Sequence, residues 1–392
     1  MRQQPIPCPI CAANTLQPFF TVRQVPVLAN VLWADRRAAL NAARGDLRLA
    51  FCGSCGHLYN YAFDPARLDY NAAYENSLHF SPRFQVYAQT LAADLVERYH
   101  LYGKKIVEIG SGKGDFLCLL CQAGGNQGVG FDPSYDGSGS PYAGIRFVPE
   151  YFSERHAAEA ADFIVARHTL EHIPQPARFV AVLRRALYAR PATPVFIEVP
   201  NARHTLNTLA IWDLIYEHVS YFTPPSLTCL FTLGGFTVRR VAETYEGQFL
   251  TLEATLAPQD GSAGPALCPL DVDELTHSVE RFAARFAEKT ALWRARLAAF
   301  RAEKHRVVLW GAGSKGISFL NFLQVREEIP YVVDINPRKH GRFISGSGQE
   351  IVPPEFLRYY RPDLVILMNP IYQAEVEQTL AELGVMAEVM PA

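Results

Sequence analysis

The chain has 392 residues, too many for one hydrophobic core, so two or three domains are expected. Its 37 Lys and Arg against 39 Asp and Glu give a formal net charge of −2, which speaks against a nucleic-acid or membrane-surface partner recruited by bulk charge. No stretch approaches the roughly 20 uncharged apolar residues of a membrane span, and MRQQPIPCPICAAN lacks a signal peptide's apolar run, so a cytoplasmic protein is expected, with its eight cysteines acting as metal ligands or buried thiols before disulfides.

The first segment, to about Tyr74, shows little regular periodicity but carries two knuckles, Cys8-Pro-Ile-Cys11 and Cys52-Gly-Ser-Cys55. Two Cys-x-x-Cys pairs complete a tetrahedral S₄ shell that suits a structural Zn²⁺, with Gly53 and Gly56 easing the turn around sulfur. His57 lies next to this shell and is read as outside it. Residues 83–100 then place Phe84, Tyr87, Leu91, Leu95 and Tyr99 on one helical face.

From Lys104 short apolar runs alternate with helices, the pattern of βαβ units and a parallel sheet. Residues 106–116, IVEIGSGKGDF, read as strand, Gly-rich turn and helix. Glycines let backbone approach a nucleotide-like ligand, and the helix offers its first amides. Glu108 precedes Gly110, Gly112 and Gly114, and a carboxylate there suits a cationic ligand better than a pyrophosphate. The next strand ends at Asp132, suitably placed to accept both ribose hydroxyls of an adenosine. This pair of signals resembles motif I and the ribose acid of class I methyltransferases, which implies S-adenosylmethionine as cofactor.

Cys118 and Cys121 fall inside the apolar helix FLCLLCQ and read as core thiols. A third strand, residues 162–166, runs into RHTLEHIP, where His168 and His172 are candidates to touch cofactor or acceptor. After VFIEVPN comes the cluster WDLIYEHVSYF, residues 212–222, with an acid, a base and two phenols in close succession. Histidine suits proton abstraction near neutral pH, and an adjacent Glu or Tyr can orient it.

Near Pro258 the composition turns rich in Gly, Pro and Ala, a linker, and a long helix follows with Leu275, Val279, Phe282, Phe286, Trp293, Leu297 and Phe300 in one stripe, expected to pack between two domains. A second βαβ pattern begins at HRVVLWGAGSKG, residues 305–316, and Asp334 closes its next strand. Taken alone, this formal G-x-G-x-x-G supports an NAD-dependent oxidoreductase domain.

The order of features resembles the deoxysugar C-methyltransferases over nearly the whole chain. The matching segments are CPIC and CGSC, EIGSGKGDF, LEHIP, YEHVSYF, GAGSKG and DINPRKHG. The resemblance implies an α/β chain with a zinc-binding N-terminal module (1–78), a Rossmann-like class I methyltransferase core (79–257), a linker and connecting helix (258–304), and a second, non-NAD Rossmann-like domain (305–392). It implies methylation of carbon on a nucleotide-linked keto sugar, a proton being taken from the carbon beside the ketone. Where the family shows Tyr-His-Glu-His, this chain has Tyr216-Glu217-His218. Glu217 and His218 carry over directly, while Tyr216 takes the first His position or keeps the Tyr role across a gap. On this reading His218 is the base, Glu217 orients it and Tyr216 stabilises the enolate oxygen. His172, Tyr221 and Lys315 face the acceptor, His168 faces the cofactor, and Lys315 and Lys339 meet a diphosphate. O- or N-methylation of another small molecule and a binding protein without catalysis are the alternatives.

Overall fold

The computed structural model describes residues 6–68, 74–135, 137, 142–156, 159, 161–258 and 272–392, and three sheets organise them. The first begins with β1 (Leu16–Pro26), β2 (Arg44–Cys52) and β3 (Leu58–Asn60), antiparallel neighbours in that order. The β1–β2 pairing is interrupted between Pro18 and Phe20 and again between Val22 and Val25. Bulges shift which residues face inward, which is why strands hide in a segment whose sequence shows little periodicity.

The central sheet takes β4 (Lys105–Ile109), β5 (Gln127–Phe131), β6 (Ile145–Val148), β7 (Phe163–Arg167) and β8 (Val195–Pro200). These strands are parallel, and β4, β7 and β8 are buried almost throughout, as strands covered on both faces must be. The chain then leaves for β9 (Ser220–Tyr221), which pairs with β3 and closes the N-terminal sheet. It returns as β10 (Phe236–Thr244) and β11 (Phe249–Leu256), where β11 runs antiparallel between β8 and β10. The order is β10-β11-β8-β7-β4-β5-β6. Connections from β4 go to one side and from β7 to the other, so a crevice opens above the carboxyl end of β4.

The third sheet, β12 (Val307–Trp310), β13 (Tyr331–Val333), β14 (Glu350–Val352), β15 (Leu364–Leu367) and β16 (Glu388–Pro391), is parallel throughout in the order β14-β13-β12-β15-β16. It has a switch point of its own above β12.

The expected helix over 83–100 is Pro82–Arg98, started by Ser81, whose side chain caps Phe84 N. The long helix is Asp273–Ala302, and the linker expected before it falls at 259–271, outside the described residues. Its stripe packs on two partners. Phe282 meets Phe20 of β1 at 5.2 Å between ring centroids, and Trp293 meets Phe319 of the helix Ser314–Leu323 at 5.2 Å. One apolar cluster therefore runs from the N-terminal sheet through this helix into the third sheet. Among the described residues no helix is long and apolar enough to cross a membrane.

Candidate functional site

The two knuckles converge. Cys8 and Cys11 lie in a turn ahead of β1, Cys52 ends β2 and Cys55 follows it, and their Sγ atoms lie within 4.8 Å of one another. Cys8 is 3.7 Å from Cys55 and Cys11 is 3.6 Å from Cys52. Gly56 turns the second knuckle in the left-handed region, its N donating to Cys52 O at 2.8 Å. Four converging sulfurs, three of them buried, suit a closed structural metal site. His57 is outside the cluster, its ring packed on Phe222 at 5.3 Å. Cys118 and Cys121 are core thiols of the helix Asp115–Gly124, and burial raises them to about 11 and about 12.

Above β4 the Gly-rich turn opens into a cavity of about 1250 Å³. Gly110 has φ 73°, and a Cβ there would meet Thr169 Oγ1 at 2.0 Å; at Gly112 a Cβ would meet nothing within 4 Å, so bare backbone faces the cavity. Gly114 caps the following helix at φ 85°. Asp132, just past β5, accepts from Gly112 N at 2.8 Å through one oxygen and from Ser134 N at 2.8 Å through the other. Glu108 sits beneath this turn, buried, with Oε2 lacking a hydrogen-bond partner among the described residues. Burial pushes its carboxyl up to about 8 against the pull of Arg167, with Asp115 and Asp132 adding to the rise. A buried acid with one oxygen unmatched among the described residues, beside an open glycine backbone and a strand-end Asp, fits a cationic nucleoside.

His168 adopts φ 50°, an uncommon conformation for a residue with a side chain, directly after β7. Its Nε2 lies 3.1 Å from Glu198 Oε1 and its ring packs on Phe249 at 4.5 Å. Arg167 Nε donates to the same Glu198 oxygen at 2.9 Å, and Tyr87 donates its hydroxyl to Oε2. Burial alone would raise Glu198, but Arg167, His168 and Tyr87 hold it at about 2.

His172 and His218 meet edge to face at 4.8 Å between ring centroids, and both line the cavity. His172 Nδ1 donates to Glu217 O at 3.1 Å, and burial lowers this ring to about 4. Burial, with His172 and His168 adding, drives His218 well below its usual value, so it carries no proton near neutral pH. The carboxylate beside it belongs to Glu171, not Glu217: the ligand atoms of Glu171, His172 and His218 lie within 4.8 Å of one another. Burial pushes Glu171 up to about 8.

Three of the expected contacts change. Glu217 does not orient His218, because its carboxylate turns toward the segment between β1 and β2 and accepts from Ala29 N at 2.9 Å. Tyr216 does not reach the enolate position: its hydroxyl accepts from Asp64 N at 2.9 Å, and Ile215, not Tyr216, lines the cavity. Tyr221 lies behind the wall, with its hydroxyl donating to Ile215 O at 2.7 Å to close the loop. Tyr74 is among the phenols that do line the cavity, and burial and the Glu217 carboxylate push it well above its usual value. Glu171 had a signal in the sequence, two histidines around it in RHTLEH; Tyr74 had none.

The C-terminal lobe faces the same cavity. Asp334 accepts from Ala312 N at 2.8 Å and from Asn336 N at 2.8 Å, repeating the pattern around Asp132. One difference separates the two turns: Lys339 Nζ, buried, lies 3.1 Å from Asp334 Oδ2 and donates to Ala312 O. A lysine thus pairs with the carboxylate that an NAD ribose would need. Lys315 lines the cavity and donates to Asp213 Oδ2 at 2.6 Å.

Residues 84–241 match the model of a methyltransferase domain, and residues 271–387 match that of a C-methyltransferase C-terminal domain. The chain is a class I S-adenosylmethionine-dependent methyltransferase. It resembles the deoxysugar C-methyltransferases, and transfer to carbon is the reaction its matches support. Over 302 residues it is 29% identical to C-methyltransferase NovU of Streptomyces niveus, covering 72% of this chain and 70% of that one. Among solved structures it is similar to the 1,6-didemethyltoxoflavin-N1-methyltransferase of Burkholderia thailandensis (TM-score 0.35, 16% identity, 46% of this chain and 84% of that one). It is also similar to magnesium protoporphyrin IX methyltransferase of Synechocystis PCC 6803 (TM-score 0.34, 18% identity, 44% and 84%).

Proposed function

We propose that this methyltransferase adds a methyl to the carbon beside the ketone of a nucleotide-linked keto sugar, through an enolate, with His218 as base. The observation that carries the reading is one shared cavity. It is lined by Glu108, Gly112 and Asp132 from the central sheet, by His172 and His218 from the acceptor side, and by Lys315 from the C-terminal lobe. S-adenosylmethionine, when bound, supplies an electrophilic methyl. Glu108 receives its cationic end, Gly112 offers bare backbone, and Asp132 takes the ribose hydroxyls. His218 takes the α-proton on its imidazole, and the electron pair of that C–H bond moves into the enolate, whose carbon then accepts the methyl. Tyr74, kept protonated, could take over the role of enolate donor expected of Tyr216 once its O–H turns from the Glu217 carboxylate to the acceptor. Glu217 acts at one remove, through Tyr74 and through the backbone carbonyl that orients His172.

The same proposal gives Cys8, Cys11, Cys52 and Cys55 a structural Zn²⁺, keeps the four-part division of the chain, and sets the enzyme in the reducing cytoplasm. The test is deuterium exchange of a 4-keto nucleotide sugar in D₂O without methyl donor. Wild type washes out the α-proton and His218→Ala does not, while the variant still binds the methyl donor and loses about 10²–10⁴-fold in turnover. A methyl recovered on oxygen or nitrogen would reassign the chemistry.

A further inference from the structure

Among the described residues, metal-ligating side chains gather in threes or more at two places, the Cys₄ cluster and the acceptor side of the cavity. The second consists of Glu171, His172 and His218, whose ligand atoms lie within 4.8 Å of one another. Around a single ion with bonds of about 2.0–2.2 Å, ligand atoms stand roughly 3–4 Å apart, so rotamer adjustments of about an ångström close the set.

Two independent features of this cluster point to a cation. Glu171 is 1% exposed, and its Oε2 has no hydrogen-bond partner among the described residues although it lies at the wall of the cavity. A buried acceptor left unmatched is costly, and a cation would satisfy it. His172 donates Nδ1–H to the Glu217 carbonyl, which sets the tautomer and turns the Nε2 lone pair to the other edge of the ring. Histidines that bind metals are held by such a backbone or carboxylate bond on their second nitrogen.

We propose that Glu171, His172 and His218 form a second metal site, open to the cavity, for a divalent transition-metal cation. Two imidazoles and one carboxylate favour ions of the Co²⁺, Ni²⁺ and Zn²⁺ kind over Mg²⁺ or Ca²⁺, which prefer all-oxygen shells. Three protein ligands leave coordination positions facing the acceptor space. Where His218 is the base proposed above, its lone pair cannot hold a metal and accept a proton at once, so the loaded site stops transfer; this consequence rests on that reading, and the site itself does not.

The test is a Co²⁺ titration of zinc-replete protein followed by optical spectroscopy. One further Co²⁺ per chain is expected, with ligand-field absorption and without the thiolate-to-metal charge-transfer band that cobalt in the Cys₄ cluster would give. Glu171→Gln and His172→Gln, each checked for retained binding of the methyl donor, should weaken this binding at least tenfold. Cobalt that enters only with a thiolate band, or binding indifferent to both variants, overturns the site. Turnover that falls in step with the ligand-field band and returns with a chelator supports both the site and the base. Turnover that persists with cobalt bound leaves the site standing and removes His218 from the role of base.

Discussion

Glu108 is a single carboxyl whose charge depends on what it faces. With burial holding it at about 8, it is protonated at neutral pH until a cation enters the cavity. A cationic ligand favours the carboxylate, so binding should expel one proton below pH 8, and affinity for the methyl donor should rise with pH until about 8 and then level. Calorimetry in buffers of different ionisation enthalpy reads the released proton directly. Glu108→Gln should bind more weakly and release none; proton release unchanged in that variant would assign the titration elsewhere. Residues on either side of a regular turn were legible because spacing alone encodes them: Glu108, the three glycines and Asp132 sit where the βα pattern puts them. The acceptor side was less legible. Neighbours in an irregular loop diverge, and Glu217 is claimed by Ala29, 188 positions away, so adjacency to His218 carried no information about contact.

The loop bearing His218 is anchored by β9, and β9 is a strand of the N-terminal sheet. Thr223, just beyond it, donates to Gly56 O at 3.0 Å, inside the second knuckle. The cysteine cluster and the acceptor wall are thus three short steps apart: Cys55, Gly56, then Thr223 and the strand before it. Metal binding contributes folding free energy to such a module, so its loss should be felt along this path. Cys52→Ser should lower the melting midpoint, lose bound zinc and reduce turnover together, with metal content read by atomic emission. Cys118→Ser should leave one zinc per chain, because its thiol is packed in the helix Asp115–Gly124. Zinc lost from Cys52→Ser with midpoint and turnover intact would disconnect the module from the site. Sequence spacing revealed the four cysteines but not this connection, since β9 is two residues long and its partners Tyr59 and Leu58 lie 161 and 163 residues before Ser220 and Tyr221.

At the scale of the whole molecule, two sheets of related topology open onto one cavity, and their Gly-rich turns bind their strand-end acids alike. Asp132 and Asp334 each accept one amide from the turn and one from the residue two positions on. The repeat makes an NAD site legible in the sequence, and only packing reveals that Lys339 fills it. That contact speaks against a dinucleotide in the C-terminal lobe, and Lys315 and Lys339 are its lysines at the cavity wall. Lys315 is paired with Asp213 of the central domain and roughly a quarter exposed, so a diphosphate can compete for it. Lys315→Ala should raise KM for a nucleotide-linked acceptor about 10- to 100-fold, the range of one charge-assisted hydrogen bond, while affinity for the methyl donor stays unchanged. Lys339→Ala should act differently. It leaves Asp334 buried without its counter-charge, which lowers the melting midpoint and leaves KM near wild type in the protein that remains folded. Steady-state kinetics beside thermal melts separate the two. If Lys339→Ala raises KM and Lys315→Ala does not, the acceptor's phosphates sit deeper in the C-terminal turn, and the likeness between the two turns extends to ligand binding.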